Sequence, residues 1–310
     1  MADIRINEFT DPGCPWAWSA EPFRLRIEWL YGDRIDWRLH LVGLSESPDD
    51  YLDKGFTPEK MASSFADIAK EHHMPIATHQ RPRMAATVPA CRAIVAAREH
   101  GDERLARHVL RQLRMRHFSG ELLDDPATIA GAARDAGIDP TTLEGWCSDP
   151  SVAAALDVDM AASRQPIPAA RALDHKLANW SGGVRYTCPS YEIVRLGDGV
   201  KIAVPGFQPF NVYDVVLANL IPDLERQPDP RTVEEVLAWA DEPLATQEVA
   251  VLMGCSFEGA REALGDVAVE THVGFDGFWT LPRYTRLSIA PSSDRASGTT
   301  TSASPSSSSG

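Results

Sequence analysis

Apolar Ile4, Ile6 and Phe9 are interleaved with Arg5, Asn7 and Glu8 as in a strand, and Asp11-Pro12-Gly13 breaks the pattern. Cys14-Pro15-Trp16-Ala17 therefore falls at a strand-to-helix junction. The apolar run through Trp18, Phe23, Leu25, Ile27 and Leu30 predicts one helix, stopped by Gly32. Arg34 to Val42 alternates polar with apolar residues, which predicts a second strand and completes a βαβ opening.

From Thr57 to about Asn179 the pattern is helical throughout, starting with the cap and first-turn proline of Thr57-Pro58. Ser181-Gly182-Gly183 returns the chain to strands: Tyr191 to Val194, a turn at Gly197-Asp198-Gly199, then Val200 to Val204. A helix from Val212 to Leu224 follows Pro209. The fold class is thus α/β, with one body formed by 1–45 and 181–226 and interrupted by an all-helical insertion, 46–180. After Asp229-Pro230 come helices over Thr232–Ala240, Leu244–Met253 and Ser256–Leu264. A hairpin around Phe275-Asp276-Gly277 follows, and together these predict a small winged-helix-like module, 229–282. The Ser/Thr-rich tail, 283–310, has too few apolar residues to fold and is expected to be disordered.

Composition narrows the function. The 310 residues are 44% hydrophobic and carry a net charge of −14, which disfavours nucleic-acid phosphates and acidic membrane surfaces. Within the winged-helix-like module the only cations from 229 to 281 are Arg231 and Arg261, and Arg261 faces Glu258 and Glu262 in the candidate recognition helix. Nucleic acid is therefore not an expected partner; protein contact, self-association or docking within the chain is. No basic-then-apolar leader and no apolar run of about 18 residues is present, so the chain is expected to be cytoplasmic and off the membrane. Cys14, Cys91, Cys147, Cys188 and Cys255 are too scattered for a disulfide framework, which fits a reducing compartment. His72, His73 and His79 lack metal spacing and read as surface residues, so no metal is expected. Arg104, Arg107, His108, Arg111 and Arg114 form a cationic stripe, either paired with carboxylates or lining a cleft for the carboxylates of a small thiol.

Cys14 carries the chemistry. A thiol at a helix N-terminus meets unpaired backbone N–H groups, which stabilise the thiolate as a nucleophile. The segment Phe9-Thr10-Asp11-Pro12-Gly13-Cys14-Pro15-Trp16-Ala17-Trp18, with Pro189 in a downstream Pro-Ser-Tyr and Pro205-Gly206-Phe207-Gln208-Pro209-Phe210 beyond it, resembles DsbA-like thioredoxin-fold proteins of the FrnE type. The resemblance spans roughly 3–225, and 2-hydroxychromene-2-carboxylate isomerases and kappa-class glutathione transferases share the architecture. It implies a thioredoxin fold, Pro189 as a cis-proline, and a substrate groove at Pro15, Trp16, Ala17 and Thr187. The family's usual Cys-Pro-Trp-Cys is departed from, because Ala17 stands where the second cysteine would be. Either an external thiol releases mixed disulfides from Cys14, or another cysteine does so. Cys188, just before Pro189, is the candidate; Cys91, Cys147 and Cys255 read as structural. The expected activity is thiol-disulfide exchange on protein or small-molecule thiols and disulfides, with no tightly bound cofactor and a low-molecular-weight thiol as co-substrate. A thiol-dependent transferase or isomerase and a non-catalytic adaptor are the alternatives.

Overall fold

The computed structural model describes residues 2–282; the tail expected to be disordered, 283–310, lies outside the described residues. Strand β1 (Ile4–Thr10) buries Ile4, Ile6 and Phe9 as its alternation requires. The expected single helix is two, α1 (Pro15–Ser19) and α2 (Glu21–Tyr31). Pro22 has no N–H to offer the Trp18 carbonyl, so the helix ends and restarts around Ala20. After β2 (Ile35–Leu41) come α3 (Asp49–Leu52), α4 (Pro58–His72), α5 (Val88–His100) and α6 (Glu103–Phe118). Then α7 (Pro126–Asp135), α8 (Pro140–Cys147), α9 (Pro150–Ser163) and α10 (Pro168–Arg171) complete the insertion. Three of these begin with the same device: Asp125, Asp139 and Asp149 each accept a first-turn backbone N–H, and a proline follows at once.

The insertion is not helical throughout, as the apolar spacing had suggested. Helix α4 ends where His73 turns left-handed at φ 55°, and residues 73–87 run non-helically to α5. At the far end β3 (Leu177–Trp180) and β4 (Gly183–Tyr186) pair as a hairpin across the expected boundary at 180/181. Cross-strand pairing of Leu177 with Tyr186 outweighs the weak local helical pattern there. Strands β5 (Ser190–Arg195) and β6 (Lys201–Val204) complete a mixed sheet in the order β2-β1-β5-β6, with β1 parallel to β2 and antiparallel to β5. Helix α11 (Phe210–Leu220) packs Tyr213, Leu217 and Leu220 into the same core.

The C-terminal segment has α12 (Val233–Ala240), β7 (Leu244–Ala245), α13 (Thr246–Met253), α14 (Phe257–Val267), β8 (Val269–Val273) and β9 (Asp276–Thr280). Leu244 and Ala245, expected to be helical, instead pair with Trp279 and Phe278, giving a three-stranded sheet β7-β9-β8. The hairpin turns at Gly274-Phe275, one step before the expected centre. Gly274 is required there: φ is 65°, and a Cβ would fall 2.0 Å from the Ile76 carbonyl oxygen. Arg261 pairs with Glu270 at 3.0 Å and Asp276 at 2.6 Å, and no ion pair joins it to Glu258 or Glu262 among the described residues.

This segment docks on the rest of the chain. Val249 and Leu252 share one apolar core with Ile4, Ile6, Trp29 and Ile193. The arginine stripe of α6 ties the parts together from inside. Arg107 reaches Glu8 at 2.9 Å, and Arg114 reaches Glu21 at 2.9 Å and Thr10 Oγ1 at 2.6 Å. Arg111 grips Glu248 with both terminal nitrogens while lying over the Trp18 ring. Those three arginines are thus paired with carboxylates, while Arg107 and Arg111 also line a cavity together with Arg104 and His108 of the same stripe.

Candidate functional site

The site is built on Asp11, buried at the end of β1. Its carboxylate accepts the Gly13 N–H at 2.8 Å, the Leu44 N–H at 2.9 Å, the Thr87 hydroxyl at 2.9 Å and the Cys91 thiol at 3.6 Å. One side chain therefore joins the loop before Cys14 to the segment after β2 and to the start of α5. Burial raises the Asp11 carboxyl above its ordinary range, against those hydrogen bonds. Gly13 is tightly enclosed, since a Cβ would lie 2.8 Å from Thr87 Cγ2.

Cys14 is the N-cap of α1, as its position after Pro12-Gly13 predicts, and is buried with Ala17 and Cys188 in one small cluster. The Cys188–Pro189 bond is cis. Cys14 Sγ donates to the Cys188 carbonyl at 3.2 Å. The Cys14 thiol is held below its ordinary value, first by a hydrogen bond from the Cys188 side chain and further by the Ala17 and Trp16 backbone N–H groups, against burial and the Asp11 charge. Cys188 is pushed well above its ordinary value by burial and by its contact with Cys14. The arrangement sets a Cys14 thiol shifted toward its thiolate beside a Cys188 thiol shifted toward its protonated form. Both are free thiols, as are Cys91, Cys147 and Cys255. Cys91 also hydrogen-bonds Asp11, a contact its helical apolar setting did not signal.

At the mouth, Trp16 is 39% exposed, with its ring 5.1 Å from His72 and 5.7 Å from Phe207, both edge-on. Pro15 opens α1 beside it. Thr187 spends its hydroxyl on the Lys176 carbonyl at 2.8 Å. Ser190 pins the loop around Pro189, donating to the Thr187 carbonyl at 2.7 Å and accepting the Gly206 N–H at 3.0 Å. Tyr51 lies within electrostatic reach of Asp11, Cys14 and Cys188, and burial raises its phenol.

Of the three histidines, His73 and His79 are exposed as expected, and His72 is the exception. His72 is half-buried against Trp16 and Phe207, and burial lowers its pKa. His73 lies against Phe257 with ring centroids 4.9 Å apart, and His79 lines a cavity that reaches Gly13. Among the described residues no group of three or more His, Cys, Asp or Glu side chains could hold a metal, and no helix is long and apolar enough to cross a membrane. Sequence reasoning missed Asp11, Tyr51, His72 and Thr87 as site residues. Only Asp11 carried a local signal, a carboxylate three positions before the thiol at a strand end.

Among solved structures the chain is similar to a candidate protein disulfide isomerase from Nitrosomonas europaea, at 16% identity and a TM-score of 0.54, covering 71% of this chain and 98% of that one. It is also similar to a probable DsbA oxidoreductase from Streptomyces coelicolor, at 18% identity and a TM-score of 0.50, covering 74% and 94%. At these identities the likeness establishes the fold. No curated protein matches the sequence. Residues 5–166, more than half of the chain, match the family model of the DSBA-like thioredoxin domain, and the chain belongs to that family.

Proposed function

We propose that the protein is a thiol-disulfide oxidoreductase working through Cys14 alone, with an external thiol completing the cycle. The observation that carries this reading is the pairing of a buried Ala17, where a second cysteine would stand, with a Cys14 thiol whose pKa is lowered by its neighbours. The Cys14 thiolate attacks one sulfur of a disulfide R–S–S–R′. A bond from Cys14 to the R-bearing sulfur forms, the S–S bond breaks, and R′S⁻ leaves and takes a proton from water. The thiolate of an external thiol then attacks the R-bearing sulfur and releases the Cys14 thiolate. The net reaction exchanges one thiol for another and consumes no further oxidant or reductant.

A second reading makes Cys188 the resolving thiol, favoured by the contact between the two cysteines. Against it, burial holds Cys188 protonated, and attack requires a thiolate. Within the family we place the chain with the FrnE type, on the Cys14–Trp18 segment and the loop from Pro205 to Phe210. Five free thiols support a reducing, cytoplasmic setting. Residues 229–282 we read as a winged-helix-like module for contact with protein, since Arg261 is consumed by Glu270 and Asp276; no binding of duplex DNA at physiological salt is the expected result. The direct test of the main reading is reduction of a small disulfide by an external thiol, with and without the protein. Cys14→Ser should abolish the acceleration, and an unchanged rate in that variant would reject Cys14 as the nucleophile.

A further inference from the structure

A cavity reaches Gly13, the residue before Cys14, and runs between α4, the segment 79–87 and the end of α6; Cys14 itself does not line it. Its wall combines apolar Phe65 and Met84 with Tyr51, His79, Arg81 and His117. Not one aspartate or glutamate lines it, although the chain as a whole carries a net charge of −14.

Arg81 and Arg83 both line it, and Arg81 is the one of the two without a carboxylate partner among the described residues. Its Nη1 donates to His117 Nε2 at 3.1 Å, its Nη2 donates to the His117 carbonyl, and its guanidinium lies over the Phe65 ring at 5.0 Å. The His117 ring is buried and held well below its ordinary pKa, with Nδ1 facing the Glu121 carbonyl at 3.1 Å. A neutral ring with its proton on Nδ1 leaves Nε2 free to accept from Arg81. Every protein partner of Arg81 is therefore neutral, and no carboxylate among the described residues stands within ion-pair distance of it. Arg83, two residues on, does have one, Asp124 at 2.6 Å. Burial alone draws the Arg81 pKa down to about 10. A half-buried cation without a counter-ion is costly, and an anion entering the cavity would lower that cost.

Resting on the exchange reading above, we propose that Arg81, with His79 at the rim, anchors a carboxylate of a small-molecule thiol or disulfide whose sulfur is presented to Cys14. The alternative is purely structural, with Arg81 only capping the C-terminal carbonyls of α6.

The two differ in what Arg81→Gln does to two disulfides. Formation of the mixed disulfide at Cys14, followed by mass spectrometry, is compared for oxidised glutathione, which carries carboxylates, and for uncharged hydroxyethyl disulfide. The expected result is a loss of about tenfold with oxidised glutathione, the size of one charge-assisted contact, and a change within about twofold with hydroxyethyl disulfide. Arg81→Lys should recover most of the loss. Equal losses on both disulfides, or no loss on either, would overturn the anchor. A second measurement does not depend on exchange: calorimetric binding of S-methylglutathione, which cannot exchange, to the Cys14→Ser protein. Saturable binding that Arg81→Gln removes supports the anchor even if Cys14 proves not to exchange. No binding, or binding indifferent to Arg81→Gln, overturns it.

Discussion

Replacing Cys188 by alanine should change the reactivity of Cys14 in a way no loss of packing would imitate. The Cys188 thiol is the largest cause of the lowered Cys14 pKa. Hydrogen bonds to charged groups contribute about 1.5–3 kcal/mol, and a thiol is a weak donor, so the lower end applies. Cys188→Ala should therefore remove about 1.5 kcal/mol of thiolate stabilisation and raise the Cys14 pKa. The rate effect is smaller than the shift, because a more basic thiolate is more nucleophilic, by about half a logarithmic unit per pKa unit. Alkylation by iodoacetamide should therefore slow about threefold at pH values below both midpoints and quicken about threefold above both, so that the two pH–rate curves cross. Curves that coincide, or a midpoint displaced downward in the variant, would refute the assignment of Cys188 as donor to the thiolate.

The other predictions concern stability and turnover. His117 is held well below its ordinary pKa by burial first and the Arg81 charge second, so only the unfolded chain takes up that proton as pH falls. The stability it supplies is complete above about pH 6.5 and is lost below it at up to about 1.4 kcal/mol per pH unit, down to the depressed folded value. Urea midpoints of His117→Gln should accordingly fall less steeply than the parent's between neutral and acid pH; identical slopes would contradict the neutral ring. Ala17→Cys should restore a two-cysteine motif and raise disulfide reductase turnover in an insulin assay, and a folded variant with no gain would mean the site does not support exchange. Arg111→Ala would strand the fully buried Glu248 without its bidentate partner. A loss of about 3–5 kcal/mol in chemical denaturation is expected, and a loss under about 1 kcal/mol would deny that this pair secures the C-terminal segment.

What the sequence disclosed follows from how local each signal was. Strand alternation at Ile4–Phe9, the Asp11-Pro12-Gly13 break and the Cys14-Pro15-Trp16 segment are local, and each lies where expected. The break at Ala20 was hidden because Pro22 reads equally well as a residue of a first helical turn. The β3–β4 hairpin and the pairing of Leu244 with Trp279 depend on partners distant in the fold, which no window of neighbouring residues contains. The same holds for the site. Cys14, Ala17, Cys188 and Pro189 announced themselves by residue type and neighbours. Asp11 and Arg81 matter through contacts made across 33 to 80 positions, and His72 through one with Phe207 farther still along the chain, so their role is visible only once the chain is folded.

The central claim is that Cys14 exchanges alone, and the lifetime of its mixed disulfide tests it most directly. The protein is loaded with a small disulfide, freed of excess reagent, and followed by intact-mass and peptide mass spectrometry without added thiol. The account predicts one adduct, on Cys14, that persists until an external thiol is supplied and has the same lifetime in Cys188→Ser. Spontaneous loss of the adduct with appearance of a peptide cross-linked through Cys14 and Cys188 would contradict it.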